Sequence, residues 1–221
     1  MEIAEAIRKR QSTRAFLERE VSEQTITAIL DTARWAPSGV NTQPWHVAVV
    51  RGETKQRIGD EIIAARERGD AENPDYQYYP SQWVDPFKSR RVECGMALYG
   101  ALGIGREDKD KRKQAWYANY HFFGAPVGFL FFLDRQLAQG SWVDMGMFIQ
   151  SVMLSALGHG LATCPQASLA EYPDVVRGVL NLPHEWALVC GMALGYARED
   201  APVNNYRTTR QPVEEFTRWF D

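Results

Sequence analysis

Ala36-Pro37-Ser38-Gly39-Val40-Asn41-Thr42-Gln43-Pro44-Trp45 is the stretch on which the reading of this chain turns. It lies between an amphipathic helical pattern and an apolar run, His46 to Arg51, of strand length. Pro37 stops the helix, because it has no N–H and disfavours helical geometry in the residue before it. Ser38 and Gly39 let backbone amides come close to a ligand, and Asn41 and Gln43 add side-chain amides that both donate and accept. Two readings of the corner stand on these residues alone: a polar helix-to-strand connection, or a corner that grips a ligand.

The helix before it is well marked. Ser22 is a favoured N-cap, Val21 and Ile26 can form a hydrophobic staple, and Ile26, Ile29, Leu30 and Ala33 keep helical spacing, which predicts a helix from Ser22 to Trp35. Upstream, Glu2 to Arg10 reads as a short helix ending in Arg8, Lys9, Arg10, Gln11, Ser12, Thr13 and Arg14. Such a run is either a solvated helix end or a clamp for phosphate, where arginine offers forked bonds to anionic oxygen.

The chain has 221 residues, 45% of them hydrophobic and 24% charged, which suits one domain of the larger kind spanning 1–221. A net charge of -3 argues against a general nucleic-acid or membrane-surface binder. Cys94, Cys164 and Cys190 are far apart and lack CxxC spacing, so neither a zinc site nor a disulfide framework is expected, and a reducing cytoplasm fits. No secretory leader is expected in the polar stretch after Met1, and neither a phosphate-loop glycine motif nor a nucleophile elbow is present.

Past the strand at 46–51, Glu53 to Arg68 reads as a charged helix turning Ile58, Ile62 and Ile63 inward. From Asp70 to Phe87 no period holds. Pro74, Pro80 and Pro86 interrupt Tyr76, Tyr78, Tyr79, Trp83 and Phe87, giving either a lid over an aromatic substrate or an arm packed on a partner subunit. A helix is expected from Lys88, with Met96, Ala97, Tyr99 and Leu102 buried and Gly95, Gly100 and Gly103 allowing close packing; Arg106 to Lys113 reads as solvated. Asn119 and the pair Phe122-Phe123 precede a buried strand, Val127 to Leu133. Trp142 to Leu157 is apolar almost all round, too short and too polar to span a bilayer, and so expected at a subunit interface. Leu161 to Ser168, a helix from Asp174 to Leu180 opened by Pro173, a buried strand from Trp186 to Leu194, and a basic tail from Asn204 to Gln211 before a last helix at Pro212 complete the chain.

These motifs, in this order, resemble the FMN-dependent nitroreductase family, nearest its nitrobenzoate and nitroaromatic reductase branch. The resemblance is carried by Arg10, Ser12 and Arg14; by the corner Ala36 to Trp45; by Phe123 to Pro126 with Asn119 upstream; by Asp144 and Gly146; by Gly160 to Thr163; and by Gly195-Tyr196 and Arg210-Gln211-Pro212. It runs along nearly the whole chain.

The resemblance implies an α+β fold, a central mixed and mostly antiparallel sheet flanked by helices, in an intertwined homodimer with FMN at the interface. It assigns Arg10, Gln11, Ser12, Arg14 and Arg210, with Arg207 assisting, to the FMN phosphate and ribityl chain. Pro37, Ser38, Gly39 and Asn41 are then supplied by the other subunit, Asn119 faces the pyrimidine edge, and Pro165, Gln166, Ala167 and Ser168 lie along the ring. Some relatives carry an acidic residue in that last segment, whereas Ala167 offers only its backbone amide to flavin N5. Tyr76, Tyr79, Trp83, Phe122 and Phe123 are the expected contacts of a flat oxidant. NADH or NADPH is the implied reductant, in a ping-pong cycle with a nitroaromatic compound; no metal and no catalytic side chain is required, because the cofactor carries the chemistry. Flavin, quinone or enone reduction, reductive dehalogenation, a non-catalytic flavin-binding dimer and a cofactor-free structural dimer are the alternatives.

Overall fold

The computed structural model describes residues 2–221. Its centre is a four-stranded sheet of β1 (Trp45–Arg51), β2 (Val127–Asp134), β3 (Ala162–Gln166) and β4 (Trp186–Gly195), in the order β1-β2-β4-β3. Every strand pair is antiparallel; a parallel contribution comes from the isolated bridge between Ser12 and Thr163. The helices are α1 (Ile3–Lys9), α2 (Glu23–Ala33), α3 (Gly52–Arg68), α4 (Phe87–Ala101), α5 (Lys109–Tyr117), α6 (Gln139–Gly158), α7 (Pro173–Leu180) and α8 (Val213–Phe216).

Period-two alternation in β2 divides the core into two layers. Val127, Phe129, Phe131 and Leu133 point into a cluster with Ile26 and Ile29 of α2 and Met145, Phe148 and Val152 of α6. Leu130 and Phe132 point to the opposite cluster, with Ile58 and Ile62 of α3 and Val176 of α7. Both faces of the sheet are therefore covered, which is why β2 reads as a continuous apolar run. At Gly191 of β4 a Cβ would come 2.0 Å from Leu169 Cδ1, so only glycine lets the segment after β3 close on the sheet.

The capping expected for α2 is present: Ser22 Oγ accepts from the Thr25 N–H at 3.1 Å, and Val21 and Ile26 are both buried. Other expectations are corrected. No residue of α4 is buried, Met96 is 62% exposed, and nothing packs within 4 Å of where a Cβ would sit at Gly95, Gly100 or Gly103. The reason is placement: α4 lies away from both core clusters and walls an open cavity. Helix α6 buries Asp144, Met145, Phe148, Val152, Met153 and Ala156 but leaves Val143 exposed and Leu154 and Leu157 only partly covered, so one chain does not cover it on every face.

Candidate functional site

Beyond β3 the chain borders a cavity of about 880 Å³. One wall is Cys164, Pro165, Gln166, Ala167 and Ser168; the other comes from α4, α5 and the turn between them. Gln166 is held by its Nε2, which donates to the Asn119 carbonyl at 2.6 Å, while its Oε1 is buried and has no partner. Ser168 Oγ is also buried and without a partner. Orphaned polar atoms cost stability unless something satisfies them, and both of these belong to residues of the cavity wall. Asn119 and Phe123 line the same cavity, and the Asn119 side chain donates to the Trp116 carbonyl at 2.9 Å.

The basic run enters beside this wall. Thr13 N–H donates to the Thr163 carbonyl at 3.0 Å, and Asn204 fixes the next step by accepting from the Arg14 N–H at 2.8 Å and donating to Ala15 and Arg198 carbonyls. Arg14 lines the cavity and donates to Tyr206 Oη at 3.2 Å. Gln11 donates to the Asn204 carbonyl. Arg207 donates to the carbonyls of Lys9 and Arg10, and Arg210 donates to Thr208 and Thr209. Burial, together with the charges of Arg210 and Arg207, holds the Arg10 guanidinium below its ordinary range. Among the described residues none of Arg10, Arg14, Arg207 and Arg210 is ion-paired with a carboxylate. Burial pushes the neighbouring Cys164 thiol up, while Arg14, the Ser12 hydroxyl and Arg10 pull it down. These cations, gathered without counter-ions, form a locally positive patch in a chain of net charge -3.

The corner lies elsewhere. Pro37, Ser38, Gly39 and Asn41 do not line this chain's cavity. Gly39 N–H donates to Asp144 Oδ2 of α6 at 3.2 Å, Ser38 Oγ accepts from the Gln43 N–H, and the tip faces outward with Val40 98% exposed. Val40, Asn41 and Gln43 all have left-handed backbone, with φ of 45°, 58° and 48°. Non-glycine residues held there are strained, and such strain gathers at functional positions.

The expected aromatic contacts separate. Tyr79 lines the large cavity, with burial pushing its hydroxyl up. Trp83 does not line it; its ring lies 5.6 Å from that of Tyr79. Tyr76 donates to the Val189 carbonyl at 2.7 Å and borders a second cavity of about 280 Å³, which Pro165, Gln166 and Ala167 also line. Phe122 is a correction: it is fully buried, with its ring set against Gly128, where a Cβ would lie 2.4 Å from Phe122 Cε1. Phe123 alone of that pair reaches the cavity.

Several wall residues escape a reading of the sequence. Arg106 and Arg112 come from a stretch expected to be solvated; Arg106 is exposed as expected and Arg112 is half-buried, its guanidinium 3.9 Å from the Tyr99 ring centroid, and both line the cavity. Glu171 also lines it, accepting from Tyr120 Oη at 2.7 Å and pairing with Arg66 at 3.0 Å, and burial pushes its carboxyl up. A charge run carries no mark of which face turns inward. Among the described residues, no helix is long and apolar enough to cross a membrane.

Comparison with known proteins supplies the context. Residues 7–196 match the model of the Nitroreductase family. The chain is 38% identical over 211 residues to a 4-nitrobenzoate reductase of Pseudomonas putida, covering 96% of this chain and 92% of that protein. It is 38% identical over 216 residues to a nitrobenzene nitroreductase of Ectopseudomonas oleovorans, covering 97% and 95%. Its fold superposes with a TM-score of 0.97, over the full length of both chains and at 41% identity, on the crystal structure of an FMN and NADPH-dependent nitroreductase, NfnB, from sphigopyxis sp. strain HMH.

Proposed function

The chain belongs to the nitroreductase family, and on that premise we propose that it is an FMN-dependent oxidoreductase that reduces nitroaromatic compounds with NADPH or NADH. The observation that carries the reading is the group Arg10, Arg14, Arg207 and Arg210, without carboxylate partners, beside a cavity whose wall keeps Gln166 Oε1 and Ser168 Oγ unsatisfied. That donor set fits FMN: a phosphate for the arginines, and a polar ring edge for the wall. When bound, FMN supplies a relay by which hydride from the nicotinamide donor reaches the nitro group in two separate half-reactions.

The chain's own residues bind and orient. In this reading Arg10, Arg14 and Arg210, with Arg207, Gln11 and Ser12, hold the phosphate and ribityl chain. Asn119 and Pro165 to Ser168, which line the cavity, would hold the ring. Tyr79 and Phe123 border the space for a flat oxidant, with Trp83 behind Tyr79. No side chain serves as nucleophile.

The second copy belongs to the same reading. The outward, strained corner, the uncovered side of α6, and a C-terminal segment in which Trp219 and Phe220 are 87% and 91% exposed support an intertwined homodimer. Pro37, Ser38, Gly39 and Asn41 would then complete the partner's flavin site. Three free thiols suit a cytoplasmic location. The test is colour: the purified protein is expected to be yellow, bleached without oxygen by NADPH or NADH, and re-oxidised by a nitroarene. A colourless protein that ignores added FMN would overturn the proposal.

A further inference from the structure

Similarity does not choose the oxidant, because relatives at the same 38% identity are named for a carboxylated and for an uncharged nitroarene. The cavity wall adds an observation of its own. Arg91, Arg106 and Arg112 line it from α4, α5 and the turn between them, well along the chain from the arginines assigned to the cofactor phosphate. Among the described residues none of the three is ion-paired with a carboxylate. Glu171, an acid on the same wall, is engaged by Arg66 and Tyr120.

Each of two guanidiniums is set against a ring. Arg112 lies 3.9 Å from the Tyr99 centroid and is half-buried, while Arg91 lies 5.2 Å from that of Trp83 and its charge acts on the Tyr79 hydroxyl. Stacking on a ring steadies a guanidinium but leaves its N–H fork free for a planar anion. The same cavity is lined by the aliphatic and thioether side chains of Val92, Met96, Leu98 and Leu102. A cavity that carries both apolar side chains and guanidiniums without carboxylate partners matches a benzene ring that bears a carboxylate.

Building on the nitroreductase reading, we propose that Arg112, assisted by Arg91 and Arg106, receives the carboxylate of the aromatic oxidant, so that this chain prefers anionic nitroarenes to neutral ones. The probes are benzoate and benzamide, neither of them reducible, titrated calorimetrically into the FMN-loaded protein. Benzoate is expected to bind at least tenfold more tightly, and Arg112→Gln to bring that ratio close to one; Arg91→Gln should lower it by a smaller factor. In turnover, the ratio of kcat/KM for 4-nitrobenzoate to that for nitrobenzene should fall about tenfold in Arg112→Gln, with Arg112→Lys between, since lysine keeps charge without the fork. Equal binding of benzoate and benzamide overturns the proposal, and so does a preference that survives in the Arg91→Gln/Arg112→Gln double variant. A change confined to the ratio of NADPH to NADH also overturns it, because the arginines would then serve the donor's phosphate. Failure of the nitroreductase reading shows separately, as a protein that takes up no FMN or is not bleached by NADPH.

Discussion

Asp75 roots the aromatic segment. Its side chain, 3% exposed, accepts from Arg177 at 2.6 and 3.1 Å, from the Leu188 N–H at 2.7 Å, and from Arg135. Asn73 and Tyr76 add bonds to Asp174 and to the Val189 carbonyl. Asp75→Asn keeps the shape but removes the charge and turns an NH2 toward groups that are all donors. Stripping one partner from a buried ion pair costs about 3–5 kcal/mol, because the other charge stays buried. Here Arg177, 5% exposed, keeps Asp174 at 2.6 Å, and Arg135, 35% exposed, can turn to water, so the lower end, about 3 kcal/mol, is expected. Urea unfolding of the FMN-free protein at one fixed protein concentration reads it, since cofactor and association both shift apparent stability.

The pH dependence has a definite sign. Burial pushes the Asp75 carboxyl up, but bonds from Arg177, the Leu188 N–H and Arg135 outweigh it and hold the group below its usual range. A carboxyl depressed in the folded state contributes fully above its unfolded value, about pH 4, and loses that contribution as pH falls through the folded value. Wild type and Asp75→Asn should therefore differ most near neutrality and converge below about pH 4. Removing both charges, as Asp75→Asn/Arg177→Met, should cost less than the sum of the two single changes. A loss under about 1 kcal/mol for Asp75→Asn at neutral pH, or one that grows on acidification, would refute the reasoning.

Arg10→Ala should weaken FMN binding by about 1.5–3 kcal/mol, the value of a charge-assisted bond, and more than Arg8→Ala does; flavin fluorescence titration gives both constants, and equal values would count against the phosphate assignment. Gly191→Ala should destabilise the fold by about 1–3 kcal/mol through overpacking on Leu169, read by urea unfolding, with Leu169→Ala in the same chain recovering part of the loss. Trimming 77–86 while keeping Asp75 should alter kcat/KM for nitroarenes and leave flavin reduction by NADPH nearly intact; loss of FMN with an unchanged oxidative half-reaction would identify a dimer strap instead. Sedimentation of FMN-free protein at low micromolar concentration should show no folded monomer, and a stable monomer that still binds FMN tightly would end the dimer proposal.

What could be read from residues alone was whatever local chemistry decides. Ser22, Pro173 and the continuous apolar runs of β2 and β4 mark α2, α7 and two central strands because capping, a proline first turn and two-sided burial act within a few residues. What depends on distant parts of the chain was not legible. Phe122 and Phe123 are chemically the same, yet the first is a core residue because Gly128, on the strand that follows, leaves room for its ring. Met96 and Leu102 look like core but line an opening, since α4 and the turn after it belong to neither core cluster. Arg112 belongs to a run that reads as solvent-facing, and only Tyr99, on another helix, turns it to the cavity. Gln166 and Ser168 were legible as part of a motif; their buried, unsatisfied atoms were not.

The aromatic segment presents two alternatives that the fold narrows. The root is tied to its own chain at Asn73, Asp75 and Tyr76. Past it, Tyr78 and Tyr79 stand with ring centroids 4.6 Å apart, and Tyr79 meets the cavity that Gln166 and Ser168 line. The corner shows the reverse arrangement. Gly39 is tied to α6, but the tip holds three strained non-glycine residues outward with little of its own chain against them. Strain persists where the surroundings over-determine it, and a tip with Val40 98% exposed has few such surroundings in one chain. The aromatic segment is thus held at its root by its own chain and reaches that chain's cavity through Tyr79, while the corner is held only at Gly39 and carries its strain on an exposed tip.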